Sequence, residues 1–244
     1  MSIINKIYPL EIRNREILSP VLILIRVTSL PLFFLLVLFR FSPNFVSLIS
    51  SLTLILSGIF ASLGDFFISS IFMYISISLD CADGQIARYK NKQSIFGQKL
   101  ESINGDLALL IYPLSVSIGL FNSGLVSIWV VLLTALSSSI YVNWRGVLSI
   151  SSINDDPNGL TFLKRIIYSQ QKPNENVRDK SLIGKILFIL RMNTATQAGI
   201  PLYLIIIFLF FSPSSAVFPL QILIISQLFI GLALMVGKLV MKSE

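Results

Sequence analysis

Six apolar segments, each long enough to cross a lipid bilayer as a helix, constrain this chain more than any other feature. A bilayer core is spanned by about 20 apolar helical residues. Charged residues make up only 13% of the 244 residues, whereas a soluble domain has about 25%. The sequence therefore predicts an all-α integral membrane protein with six transmembrane helices, at approximately residues 44–62, 66–86, 101–120, 125–144, 184–211 and 216–237.

Residues 1–43 precede these segments and have a different pattern. Residues 1–20 mix Lys, Arg and Glu with Ile and Leu, which is typical of an amphipathic helix on a membrane surface and not of a cleaved signal peptide. Residues 21–39 are apolar, but Arg26 and Pro31 interrupt them, which favours an interfacial or re-entrant segment. We therefore divide the chain into an N-terminal juxtamembrane segment, 1–43, and a six-helix membrane domain, 44–244.

Lys and Arg residues are distributed unevenly between the segments. Of the 19, five precede residue 44, four lie in 88–99, eight lie in 145–191 and two follow residue 237. The short breaks at 62–65, 121–124 and 212–215 contain none. Because positive charge accumulates on the cytoplasmic side, we expect a cell (inner) membrane protein with both termini and the loop 146–183 in the cytoplasm. Topology thus accounts for the net charge of +7, and no nucleic-acid partner is needed.

Acidic residues occur at the expected cytoplasmic end of the second segment. A charged side chain at the centre of a membrane helix costs about 2.5–3.5 kcal/mol on insertion scales, so a functional role is the first hypothesis. The helical period places five residues on one face, namely Asp80, Asp83, Gly84, Ala87 and Arg88. The chain has no His and a single Cys, so these carboxylates favour a hard cation, Mg²⁺ or Mn²⁺, over zinc.

A third acid follows at the start of the next segment. Glu101 lies one turn after Gly97, at the same expected membrane depth as the first two acids. The alternative is a packing network of ion pairs with Arg88. Three acids beside one base leave an excess of negative charge, which favours a divalent-metal site that binds substrate phosphates.

This stretch resembles the signature of the CDP-alcohol phosphotransferases, Asp-x2-Asp-Gly-x2-Ala-Arg-x8-Gly-x3-Asp-x3-Asp. Its first six fixed positions match here, with the x8 spacing intact, as Asp80, Asp83, Gly84, Ala87, Arg88 and Gly97. Ser42-Pro43-Asn44 is similar to the Thr-Pro-Asn that precedes the family's first helix. Tyr141 and Arg145 are similar to a Tyr and an Arg near the family's acceptor-phosphate side.

The resemblance implies a reaction and a set of roles. Members use two divalent metals to hold the diphosphate of a CDP-linked donor at the cytoplasmic face, where an alcohol attacks and CMP leaves. The donor would be CDP-diacylglycerol or a soluble CDP-alcohol, and members are commonly homodimers. The implied roles are metal binding by Asp80, Asp83 and Glu101, and nucleotide binding by Asn44, Gly84, Ala87, Arg88 and Gly97.

Two positions depart from the family pattern. The third Asp of the signature is Glu101 here, and the fourth, regarded as the catalytic base, is Gly105. Asn104 lies on the correct helix face but cannot act as a base. Asp106 is the candidate base, and it would reach the site only if a π-bulge at Gly105 rotated it inward. Otherwise the site binds metal and nucleotide without ordinary catalysis.

A transferase acting on a CDP-linked donor and an alcohol acceptor is the leading hypothesis, and a non-catalytic binding protein or subunit is the alternative. A small transporter is disfavoured, because neither paired halves nor broken helices are evident. Arg145, Arg191 and Lys185 are candidates for an anion site that holds a phosphorylated acceptor. For Arg191 and Lys185 a topological role is an equally good explanation.

Overall fold

The computed structural model describes residues 7–9, 19–92, 95–151, 193 and 199–242. Within these ranges the chain is helical and contains no β-strand. A short 3₁₀ turn, Pro213–Ala216, precedes the last helix. The α-helices are α1 (Pro20–Leu38), α2 (Pro43–Leu63), α3 (Phe66–Tyr89), α4 (Ile95–Asn122), α5 (Ile128–Ser151), α6 (Ile200–Phe211) and α7 (Val217–Lys242).

Local sequence signals define both ends of α2. At the start, Ser42 accepts a hydrogen bond from the Phe45 backbone N–H, and Pro43 occupies the first helical turn, where proline loses no helical hydrogen bond. At the end, Gly64 adopts a left-handed conformation with φ of +88°, which glycine adopts at little cost. The chain therefore reverses within two residues and enters α3 antiparallel to α2.

The prediction of an all-helical membrane protein is confirmed, but the prediction of six spans is not. In the described part of the chain, five helices are long and apolar enough to cross a membrane. Four of them match predicted spans, and the fifth is Pro20–Leu38. The apolar part of α5, Ile128–Asn143, and helix α6 are shorter. Within the predicted span 184–211, residues 184–192 and 194–198 lie outside the described part of the chain.

Helix α1 is continuous through both residues that were expected to interrupt it. Pro31 lies inside the helix, and Arg26 donates a hydrogen bond from Nη1 to the Cys81 carbonyl of α3, at 3.4 Å. The Arg26 guanidinium carbon also lies 5.9 Å from the centre of the Tyr8 ring. The protein itself therefore contacts this charge, which lies in a helix apolar enough to span the membrane.

Helix α2 lies between α3 and α4 and packs along both, whereas α3 and α4 have few direct contacts. Outside this group of three, α1 and α6 pack on α3, and α5 packs on α4 and α7. Hydroxyl groups join α2 to α3: Ser50 and Ser76 each donate to the other's backbone carbonyl, at 3.0 and 2.9 Å. Helices α3 and α4 are thus held next to each other mainly by their packing on α2.

Glycines bring α2 and α4 close together. A Cβ added at Gly119 of α4 would lie 1.9 Å from the Ala61 backbone oxygen of α2. A Cβ added at Gly58 of α2 would lie 3.1 Å from side-chain atoms of Ile111 and Ser115. At both positions a small residue thus allows the close helix approach that is common in lipid.

Candidate functional site

The candidate site begins at the C-terminal end of α3. Because α3 is α-helical through Tyr89, Asp80, Asp83, Gly84 and Ala87 lie along one helical face. Asp83 is the most enclosed acid, with 5% of its surface exposed, and Asp80 is half-buried. A buried carboxylate needs polar partners inside the protein, so the neighbours of Asp83 define the site.

Hydrogen bonds link four polar residues of three helices, and Asp83 is at one end of this chain of bonds. The Ser47 hydroxyl of α2 hydrogen-bonds to Asp83 Oδ2. Asn104 of α4 donates from Nδ2 to the Ser47 carbonyl at 3.3 Å and accepts from the Ser51 hydroxyl at 2.6 Å. We call Ser47, Ser51, Asp83 and Asn104 the interhelical polar network. It links the two acid-bearing helices through α2.

Ser47 and Ser51 were not among the predicted site residues. Both lie on one face of α2, and Ser47 follows the predicted nucleotide-binding residue Asn44 by one turn. That spacing could have indicated that Ser47 lies near the site. Serine is so frequent in the helices of this chain, however, that the spacing alone does not distinguish Ser47 from the other serines. Asn44 itself is exposed in the first turn of α2.

Glu101 is exposed on α4, one turn before Asn104. The negative charge of Glu101 and the positive charge of Arg88 both act on Asp83. The acid of α4 is therefore close enough to the acid of α3 to interact with it electrostatically. The carboxylate oxygens of Asp83 and Glu101 are ligand atoms that suit a hard divalent cation. Among the described residues, no three His, Cys, Asp or Glu side chains form a group able to hold a metal. Asp83 and Glu101 interact electrostatically, but the three acids do not form a closed ligand set.

Arg88 contacts the N-terminal segment. Its Nε donates to the Ile7 carbonyl at 2.8 Å, and the Ile7 side chain is 2% exposed in an apolar cluster with residues of α1, α2 and α3. A Cβ added at Gly84 would lie 3.4 Å from Arg88 Nη1. Gly84 thus lies against the Arg88 guanidinium, and Ile7 is a site neighbour that the sequence did not predict.

Other predicted site residues lie on α4 and α5 or outside the described part of the chain. Gly97 is half-buried in the first turn of α4. Arg145 belongs to α5, but its side chain is not described, and Arg191 and Lys185 lie outside the described residues. The predicted loop 146–183 lies outside them from residue 152 onward.

The predicted π-bulge at Gly105 is wrong. Helix α4 is α-helical from Ile95 to Asn122, and Gly105 is buried within it. Two residues correspond to about 200° of rotation in an α-helix, so Asp106 points away from the side on which Asn104 meets α2. The hydrogen bonds of Asn104 to α2 fix this rotation, and Asp106 is half-buried elsewhere.

The family model of the CDP-alcohol phosphatidyltransferases matches residues 17–237. The chain belongs to this family. No curated protein and no solved structure gives a significant match. The resemblance that the Asp80–Gly97 motif suggested is therefore confirmed.

Membership in the CDP-alcohol phosphatidyltransferase family establishes the general class of the chain. It is a membrane transferase of a family that moves a phospho-alcohol group from a CDP-alcohol to an alcohol acceptor, and such enzymes generally use divalent metal ions. The matched region begins before α1 and ends within α7, so it covers α1 as well as most of the membrane domain that was predicted from residue 44 onward.

Proposed function

We propose that this CDP-alcohol phosphatidyltransferase catalyses its reaction where the ends of α2, α3 and α4 meet. The acceptor oxygen forms a bond to the phosphorus that carries the donor's alcohol. The bond between that phosphorus and the CMP oxygen breaks, CMP leaves, and the acceptor proton passes to a base. The observation that carries the proposal is a buried carboxylate, Asp83, held by the interhelical polar network within the electrostatic reach of Glu101.

Asp80, Asp83 and Glu101 are the proposed holders of Mg²⁺ or Mn²⁺, with two ions in the site. All three supply oxygen, the donor atom that these cations prefer. When bound, such ions stabilise negative charge on a diphosphate and its leaving group. The acids alone would repel that diphosphate, so metal binding and donor binding should depend on each other.

The remaining roles concern the donor and the acceptor. Arg88 would contact donor phosphate, and the small residues Gly84 and Ala87 leave room on α3 for the cytidine. Asn44 and Gly97 flank this face as further nucleotide-binding residues. Arg145 and Arg191 are proposed to hold a phosphorylated acceptor, because Arg binds phosphate through paired hydrogen bonds.

We further propose that the site and both chain termini face the cytoplasm of an inner membrane, in a homodimer surrounded by lipid. The uneven distribution of Lys and Arg supports the orientation. A contact in the fold supports it too. Arg88 binds the Ile7 carbonyl, and Lys90 donates to the Phe41 carbonyl at 2.7 Å. The N-terminal segment and the connection between α1 and α2 thus meet the same end of α3.

A second function is favoured by one observation, the lack of a carboxylate at Gly105 in a regular α4. A catalytically impaired relative would bind metal and a CDP ligand, or act as a subunit, without transferring the phospho-alcohol. Asp106 is the candidate base in the active alternative, and it would need α4 to rotate during the reaction.

One experiment separates the two. Purified protein is incubated with CDP-diacylglycerol or a soluble CDP-alcohol, Mg²⁺ or Mn²⁺, and a panel of alcohols, and CMP release is measured. Release that depends on both the metal and one alcohol supports the transferase. Donor binding without CMP release under every combination supports the impaired relative.

A further inference from the structure

Three serine hydroxyls of α2 hydrogen-bond to α3, and only the bond to Asp83 has a carboxylate as its acceptor. Ser50 and Ser57 donate to backbone carbonyls of α3, at 3.0 and 2.8 Å. The Ser47 hydroxyl instead reaches a carboxylate, Asp83 Oδ2. The Pro43 carbonyl, 3.2 Å from Ser47 Oγ, is its other acceptor. A hydrogen bond to an ionised acceptor is roughly twice as strong as one between neutral groups, so Asp83 is the favoured acceptor when it is charged.

Ser47 is itself held by the neighbouring helix. Its backbone carbonyl accepts from Asn104 Nδ2, and the Asn104 carbonyl oxygen accepts from Ser51, one turn further along α2. Asn104 is 4% exposed, so both ends of its amide group are used inside the protein. This pair of contacts fixes the rotation of α4 against α2, and therefore the direction of Glu101, one turn before Asn104.

We infer that Ser47 and Asn104 are positioning residues for the metal-binding acids. Ser47 fixes the carboxylate of Asp83, and Asn104 fixes α2 and α4 relative to one another. Because α3 and α4 have few direct contacts, α2 is the element that sets the separation between their acids. The inference rests on the proposed function, since it takes Asp83 and Glu101 as metal ligands.

This positioning role explains why an amide side chain occupies residue 104. Asn104 precedes the position at which the family places its fourth acid. In this chain the side chain that faces α2 is an amide, which both donates and accepts. A carboxylate at residue 104 would keep the bond from Ser51 but lose the bond to the Ser47 carbonyl. The amide is therefore suited to positioning, and proton transfer must fall to another group.

The test measures Mn²⁺ binding to the purified full-length protein in detergent. Calorimetry gives the affinity, and the electron paramagnetic resonance signal of free Mn²⁺ gives an independent value. Removing a group that orients a metal ligand typically weakens affinity 10–100-fold. Ser47→Ala should therefore weaken Mn²⁺ binding about tenfold or more. Ser47→Thr keeps the hydroxyl and should restore most of the affinity. Ser50→Ala is the matched control, because it removes an equally buried hydroxyl of the same helix that does not contact an acid.

Each outcome decides the matter. Equal Mn²⁺ affinity in Ser47→Ala and wild type overturns the positioning role alone. Equal weakening by Ser47→Ala and Ser50→Ala also overturns it, because a general loss of packing would then explain both. A wild type that binds no Mn²⁺ overturns the proposed metal site and this inference together. If Ser47→Ala does not fold, Asn104→Ala replaces it, and unchanged Mn²⁺ affinity in that variant rejects the role.

Discussion

The backbone contact between α2 and α4 at Gly119 makes Gly119→Ala a sensitive test of the packing. The new Cβ would lie 1.9 Å from the Ala61 carbonyl oxygen. Carbon–oxygen contacts of this kind normally lie at about 3.3–3.6 Å, so the helices must separate locally by roughly 1.4–1.7 Å. Neither partner is a side chain that can rotate away. The strain must therefore be relieved by movement of a helix backbone.

The magnitude follows from two opposing terms. Overpacking in a close-packed interior costs about 1–3 kcal/mol and sometimes more. Replacing Gly by Ala inside a helix returns about 0.8–1 kcal/mol. Because the clash is with a backbone oxygen, the cost belongs at the upper end of that range, so we expect a net destabilisation of about 2 kcal/mol, which for a chain of this size lowers the melting temperature by about 4–8 °C. Thermal unfolding of the purified protein in one detergent, followed by circular dichroism, measures it.

Gly58→Ala is the matched control from the same helix pair. Its new Cβ would lie 3.1 Å from Ile111 Cγ2 and Ser115 Oγ, which are side-chain atoms that can shift by a few tenths of an ångström. The gain in helix propensity should offset that adjustment, so the melting temperature should stay close to that of the wild type. Equal stability of Gly119→Ala and Gly58→Ala would refute the close backbone contact.

Three further predictions concern the site and its orientation. Asp83→Asn should weaken Mn²⁺ binding at least tenfold in calorimetry, within the range for a disturbed metal site; unchanged affinity would reject Asp83 as a ligand. A cysteine introduced at the exposed residue Ser123, in a Cys81→Ser background, should react with an impermeant thiol reagent in intact cells. Protection of that cysteine, with labelling only after lysis, would invert the proposed topology. If Asp106 is the base, Asp106→Asn should slow CMP release by about 10²–10⁴-fold while donor binding is kept. Equal CMP release in this variant would exclude Asp106, and recovery of activity by Gly105→Asp in a silent wild type would establish the impaired relative.

The class of fold and the acidic face of α3 were predictable because both depend on local periodicity. Hydropathy over about 20 residues identifies membrane helices, and the spacing of Asp80, Asp83 and Gly84 places them on one face in any regular helix. The family signature depends on the same local spacing. These features need no knowledge of which helices are neighbours.

The features that could not be predicted depend on contacts between distant parts of the chain. Arg26 appeared to interrupt α1 because its partner, the Cys81 carbonyl, lies 55 residues away in sequence. The π-bulge at Gly105 was predicted from local sequence, because it would rotate Asp106 into the place of the acid that Gly105 lacks. It is absent because Asn104 meets Ser47 and Ser51 from another helix. No pattern within α4 alone contains that information.

The bond between Arg88 and the Ile7 carbonyl joins residues 81 positions apart, and this has a consequence for biosynthesis. Ile7 leaves the ribosome well before Arg88 is made. At translation rates of about 5–20 residues per second, the delay is roughly 4–16 s. During that interval the apolar Ile7 side chain lacks the α3 part of its final pocket. The contact between Arg88 and Ile7 therefore forms late, when a segment that was synthesised earlier packs against a helix that was synthesised after it.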